Sequence, residues 1–179
     1  MAARSQSPDP VTATSSLRVR IHAECGAAYA APLRRQIRRV HRLLNPPLNH
    51  LSIALVGDRR MSDLHLRFLS IAGPTDVLTF PLETDDQGHT SDGEVVICFP
   101  EARRRARATR TPLAHELLLY AIHGLLHLSG YDDRTARAFK IMHRKEDDLL
   151  TQLGIGPVFA PNRPIASATA GLLTKGNGR

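Results

Sequence analysis

The stretch TPLAHELLLYAIHGLLHLSG, residues 111–130, constrains this chain more than any other. It is the most apolar region, and between Leu113 and Leu128 it is interrupted by His115, Glu116, His123 and His127. No run of about 18 apolar residues occurs, so no membrane-spanning helix is expected. Thr111 is placed to cap a helix whose first position is Pro112, and Gly130 ends it. That predicts a helix over residues 112–128. His123 and His127 are four apart, so both imidazoles lie on one helical face, one turn apart, where they can serve a single ion. Two neighbours on a helix cover only one side of a divalent metal, so a further ligand must come from elsewhere. Gly130 lets the chain reverse and brings Tyr131, Asp132 and Asp133 back over the imidazoles. Gly124 leaves room for a strand or a substrate close to the helix. Zinc peptidases place a Glu directly after the first His as general base. Here that position is Gly124, which counts against a peptidase.

The remaining pattern predicts the other elements. LRVRIHA, residues 17–23, alternates as a half-buried strand does. Residues 31–44 read as a helix with Leu33, Ile37, Val40 and Leu44 on its inner stripe, stopped by Asn45, Pro46 and Pro47. LSIALV, residues 51–56, is a second strand, and a short helix covers residues 61–69. DVLTFP, residues 76–81, and EVVICF, residues 94–99, form a hairpin across a long polar loop, residues 83–93. PEARRRARAT and residues 134–153 complete the helices. Strands come early and helices late, which predicts an α+β fold: a small mixed sheet of about four strands packed with about five helices. Residues 1–16, rich in Ser, Thr, Pro and Ala, are expected to be disordered. Residues 17–157 form one domain, and residues 158–179 a flexible tail.

The chain has 179 residues, enough for one domain with a hydrophobic core. It carries 24 Lys and Arg against 17 Asp and Glu, a net charge of +7. Nearly all the basic residues are Arg, whose planar fork pairs with phosphate oxygens and suits a polyanionic partner. An Arg-rich genome gives the same composition. Arg34, Arg35, Arg38, Arg39 and Arg42 share the outer side of the first helix. With Arg103, Arg104, Arg105, Arg107 and Arg110 they read either as a solvated face or as a phosphate track. Phe and Tyr are scarce, so no base-stacking platform is evident. Cys25 and Cys98 form no CxxC, which fits a reducing cytosol and no zinc ribbon. The first residues lack the apolar core of a signal peptide, and a cytoplasmic protein is expected.

HGLLHLSGYDD, residues 123–133, resembles the signature of the YbeY family of bacterial endoribonucleases. GPTDVLTFP, residues 73–81, is similar to that family's TDVLSFP-like segment. GEVVIC, residues 93–98, is similar to its GDI-type strand, and MHRKEDDLL, residues 142–150, to its MxxxE helix. The four agree in order and spacing, and the resemblance covers about residues 17–154. It implies a single-strand-specific, metal-dependent endoribonuclease, with one zinc ion per chain in a zincin-like site at a helix C-terminus. The implied role is maturation of ribosomal RNA, notably the small-subunit 3′ end, and ribosome quality control, with RNA as partner and no DNA or membrane. The family holds its metal in the spacing HxxxHxxxxxH. The first position falls on His123, the second on His127, and the third on Asp133 rather than a histidine. An arginine that many members carry before the TDVLSFP segment falls by spacing on Leu69, so its role does not transfer directly. Arg67 lies two residues earlier and points elsewhere on a helix.

Asp133 is a chemically sound third ligand, since zinc accepts carboxylate oxygen as well as imidazole. The competing readings make it a solvated N-cap for a helix from Arg134, or give the third position to His143. Asp132 orients a ligand or holds the turn. Glu116 lies about 10 Å along the helix from His123, too far to ligate, and is a buried partner or a surface charge. Tyr120 shares its stripe. Asp76 caps a loop or hydrogen-bonds near the site. The ion would polarise a phosphate oxygen or acidify a water. No general base is assigned, and the nucleophile is water or the RNA 2′-hydroxyl, which leave different products. A metal-dependent hydrolase of another substrate, such as a peptidase, and a non-catalytic RNA-binding assembly factor are the alternatives.

Overall fold

The computed structural model describes residues 17–158. The segments expected to be disordered or flexible, residues 1–16 and 158–179, lie outside it except for Val158, whose amide donates to Asp147 Oδ1 at 2.7 Å. Among the described residues the order is β1 (Arg18–Ala23), α1 (Ala30–Leu44), β2 (His50–Val56), α2 (Asp58–Leu69), β3 (Val77–Thr84), β4 (Thr90–Cys98), α3 (Phe99–Thr109), α4 (Leu113–Leu128) and α5 (Ala136–Gln152). The strands form one sheet in the order β1-β2-β4-β3. β1, β2 and β4 are parallel, and β3 runs antiparallel at the edge. The α+β class and the mixed sheet agree with the expectation.

Strand alternation divides the apolar residues between two faces. Leu51, Ile53, Leu55, Val77, Val95 and Ile97 join the main core, with α1, α4 and α5 above them. Val56, Leu78, Phe80, Val96 and Cys98 meet α2 through Met61, Leu64 and Leu69 on the other face. Each fully enclosed Ile or Leu contributes about 1.5–3 kcal/mol in transfer free energy. α4 is buried at every position from Glu116 to Leu128. A helix that is apolar on all sides belongs at the centre of a core, and α4 lies there, across β3 and β4. Its approach is close because of glycine. A Cβ on Gly124 would stand 2.6 Å from Val95 Cγ2 and 3.1 Å from Thr79 Oγ1, and one on Gly93 would stand 2.6 Å from Leu128. The room left at Gly124 is taken by strands.

Three local details differ from expectation. Pro112, not Thr111, occupies the cap position of α4, with its carbonyl accepting from His115 and Glu116 amides. The Thr111 hydroxyl donates instead to Glu116 Oε1 at 2.7 Å, because an enclosed carboxylate needs a donor more than the first turn needs a cap. The long polar loop is mostly strand. Pairing extends to Thr84 and Thr90, with an irregular register at Pro81, Glu83 and Thr84. Asp85 Oδ1 closes the short turn by accepting from the Gln87 and His89 amides. Finally, α2 begins at Asp58, three residues earlier than its apolar pattern suggests.

Candidate metal centre

α4 carries His123 and His127 on one face near its C-terminal end, 4% and 3% exposed. Their ring nitrogens are committed in opposite senses. His127 Nδ1 lies 3.0 Å from the Tyr131 carbonyl, and His123 Nδ1 lies 2.7 Å from Glu146 Oε1. A carbonyl and an ionised carboxylate only accept, so both Nδ1 atoms carry hydrogen and donate. With both rings neutral, each Nε2 presents a lone pair, and the two nitrogens lie 3.1 Å apart. Asp133 Oδ2 stands 3.7 Å from His123 Nε2 and 3.9 Å from His127 Nε2. Three acceptors thus converge with their ligand atoms within 4.8 Å of one another. At 3.1 Å one cation satisfies the nitrogen pair, either a proton on one ring or a metal ion held by both. Two nitrogens on one tetrahedral zinc stand about 3.3 Å apart, close to the separation seen, so the donor set fits a zinc-like ion.

The loop after α4 delivers Asp133. Gly130 adopts a φ of 87°, which favours glycine, and the Tyr131 amide returns to the Leu126 carbonyl. Asp132 holds the turn: its Oδ1 accepts from the Asp133 amide at 2.9 Å and from the Arg134 guanidinium. α5 is capped by Thr135, whose hydroxyl accepts from the Ala138 amide at 3.1 Å. This corrects the alternative in which Asp133 caps a helix starting at Arg134. His143 also stands elsewhere. Its Nδ1 meets Glu146 Oε2, and its ring stacks 6.4 Å from that of His123.

Electrostatics follow from this enclosure. Burial works to lower the His123 value, but the Glu146 hydrogen bond and charge, with Asp133 and Asp76, outweigh it and raise it. His127 is lowered by burial and by the neighbouring His123. Burial would raise Glu146, yet its hydrogen bonds from His123 and His143 hold it below the usual carboxylate range. Asp76, at the start of β3, is pushed up by burial despite the nearby His123 and its bond from the Val77 amide. Its loop is pinned from α2, where His65 Nδ1 meets the Gly73 carbonyl at 2.8 Å. Burial, together with Asp76 and Glu116, also pushes up the Tyr120 hydroxyl. Glu116 is 1% exposed and is a buried partner of Thr111, not part of the cluster.

The model of the family described as Endoribonuclease YbeY matches residues 27–154. The chain belongs to this family. The Endoribonuclease YbeY of Rhodococcus opacus is 38% identical over 113 residues, covering 58% of this chain and 63% of that one. The Endoribonuclease YbeY of Mycobacterium tuberculosis strain H37Rv is 37% identical over 115 residues, covering 59% and 65%. The chain therefore spans slightly less than two thirds of the length of these curated relatives. The solution structure of TM1509 from Thermotoga maritima is similar with a TM-score of 0.53 and 25% identity, over 82% of this chain and 100% of that one.

Within the YbeY family pattern, Leu69 has a definite place. It packs against the α2-side core, on the sheet face away from the histidines. Arg67 is exposed, with its guanidinium 5.5 Å from the Phe68 ring centre. Glu146, the glutamate of the MxxxE segment, is the residue to which sequence reasoning gave no role. Its signal was available: with His143 it interrupts the apolar inner stripe of α5 formed by Met142, Leu149 and Leu150.

Proposed function

We propose that the chain is a single-strand-specific, metal-dependent endoribonuclease acting in ribosomal RNA maturation, at the small-subunit 3′ end and in ribosome quality control, in the cytoplasm. Zinc is the proposed ion, one per chain, held by His123, His127 and Asp133 in a zincin-like site. The observation that carries this reading is the convergence of two Nε2 lone pairs and the Asp133 carboxylate inside the segment matched to the family. When bound, the ion supplies Lewis acidity towards a phosphodiester. The side chains do the rest. His123 and His127 present fixed lone pairs, and Asp133 brings one compensating negative charge. Enclosure of both histidines excludes bulk water from their side of the site. Asp76 holds a proton more readily than an ordinary carboxylate.

α5 offers positive charge to a polyanion. Arg137, Lys140 and Arg144 border an open groove on the outer side of α5, whose inner side carries Glu146. The α1 arginines are placed differently, since Leu33 and Gln36 of α1 meet Ala114, His115 and Leu117, at the other end of α4 from His127. Among the described residues no helix is long and apolar enough to cross a membrane.

The test combines zinc analysis with cleavage of single-stranded and duplex RNA by the full chain. About one zinc per chain and cleavage of the single strand are expected, both lost in His123→Ala. Unchanged cleavage in that variant overturns the reading. Peptide turnover points to another hydrolase, and RNA binding without cleavage to an assembly factor.

A further inference from the structure

We propose that Glu146 is the positioning residue of the metal centre: one enclosed carboxylate on α5 fixes the His123 ring so that its Nε2 faces His127 and Asp133. The inference rests on the reading of those three residues as ligands. Glu146 is 0% exposed and places one oxygen on each of two imidazoles, His123 Nδ1 at 2.7 Å and His143 Nδ1 at 2.5 Å. An imidazole turns readily about its second side-chain torsion, which has broad, roughly two-fold wells. A fixed acceptor at Nδ1 removes that freedom and selects the tautomer that leaves Nε2 bare. The brace is itself braced, because the Phe139 ring packs edge-on against His143 with centroids 4.0 Å apart. His127 is oriented by another device, the Tyr131 carbonyl of the loop that delivers Asp133. The two imidazoles are thus set by different parts of the chain, and Glu146 ties α5 to the site through a hydrogen bond.

The alternative is that Glu146 merely fills space. Besides His143, its buried neighbours on α5 are Met142, Leu149 and Leu150, where an apolar side chain would pack without the desolvation of a charge. A buried carboxylate there is favourable only while its oxygens receive hydrogens. Glutamine separates the two roles. It keeps the shape, but its amide has one accepting oxygen and one donating NH₂. If that oxygen stays on His123, the bond there loses its charge and about half its strength; if the NH₂ turns there, His123 must move its proton to Nε2. Either arrangement weakens the hold on His123.

The test measures zinc affinity of the full chain by competition with a chromophoric chelator, with zinc ion as the probe. Glu146→Gln should bind zinc about 10–100-fold more weakly, the usual effect of losing a partner that orients a ligand. His143→Phe retains the carboxylate and its bond to His123, and should stay within about threefold of wild type on the same principle. Nitrogen-15 spectra of the histidine rings in the zinc-loaded wild type should show His123 bound through Nε2, with a slowly exchanging hydrogen on Nδ1. Wild-type affinity in Glu146→Gln overturns the proposal, as does equal loss in both variants. If Glu146→Gln does not fold, the wild-type spectrum still decides, since His123 bound through Nδ1 overturns it. His123→Ala is the reference. Unchanged zinc affinity there removes the ligand reading and this inference with it, whereas loss there with none in Glu146→Gln removes this inference alone.

Discussion

Asp133 Oδ2 lies 3.7 Å from His123 Nε2, although a glycine reversal separates the two residues in the chain. Asp133→Ala should therefore lose zinc, while Asp133→His should keep it, because zinc accepts either donor atom. Imidazole brings no negative charge, so the ion in the His variant is the stronger Lewis acid. The rising limb of its pH–rate profile for RNA cleavage should move to lower pH. Zinc retained by Asp133→Ala and lost by His143→Ala would assign the third position to His143.

Zinc should also support the fold, since the donor set forms only in the folded chain. At a hundredfold excess over Kd a ligand specific for the folded state adds about 2.7 kcal/mol. For a domain of this size that is about 5–10 °C in Tm. Chelation should lower the melting temperature of the wild type by this amount and leave His127→Ala unchanged. Calorimetry with and without chelator checks it, and equal shifts in both proteins count against the site.

RNA affinity should fall linearly with log salt as arginines displace counterions. Removing Arg137, Lys140 and Arg144 together should reduce the slope by about 2, at roughly 0.7 per phosphate on a single strand. Removing Arg34, Arg38 and Arg42 should leave it unchanged. Fluorescence titration at several salt concentrations reads both. The opposite result would move the RNA to α1.

Two glycines should respond differently to alanine. At Gly124 the added methyl meets the branched Val95 side chain and Thr79 Oγ1, both held within the sheet. Overpacking of about 1–3 kcal/mol then exceeds the helix-propensity gain of about 1 kcal/mol. At Gly93 the methyl meets the terminal carbons of Leu128, which can turn aside. Denaturant midpoints should rank wild type, then Gly93→Ala, then Gly124→Ala.

His41 gives a pH signature remote from the site. It is buried, and its Nε2 donates to the Leu48 carbonyl at 3.0 Å. Burial, assisted by Arg42, lowers its value despite that bond. As pH falls below about 6.5, the unfolded chain takes up the proton before the folded one. The stabilisation from neutral His41 is complete above that pH and is lost as pH falls towards the folded value. The difference in unfolding free energy between wild type and His41→Gln should shrink between pH 7 and 5. A constant difference would sink the assignment.

The sheet and helices were legible because periodicity reports burial directly: the Leu33, Ile37 and Val40 stripe is buried, and the strand over residues 51–56 lies where expected. The outer part of the β3–β4 hairpin was not. Residues 83–93 are polar because much of that ribbon faces solvent, and backbone pairing leaves no trace in composition. The histidine pair was legible from spacing; the Gly130 reversal pointed to Tyr131, Asp132 and Asp133 together, and the family resemblance singled out Asp133. The role of Glu146 was not legible, although the MxxxE segment contains it, because its partner His123 lies on another helix and only tertiary packing joins them. The Thr135 cap was hidden by two aspartates that are equally good caps by residue type.

The contact at Gly124 has an evolutionary consequence. A metallopeptidase of the HExxH kind needs a glutamate directly after its first helical histidine. In this fold that address is occupied from outside by Val95 and Thr79. A mutation there would install no water-activating base until α4 had been lifted off β3 and β4, and lifting it would dismantle the core that holds both histidines. Descent from this scaffold to a protease is thus barred by packing, not by the availability of a codon.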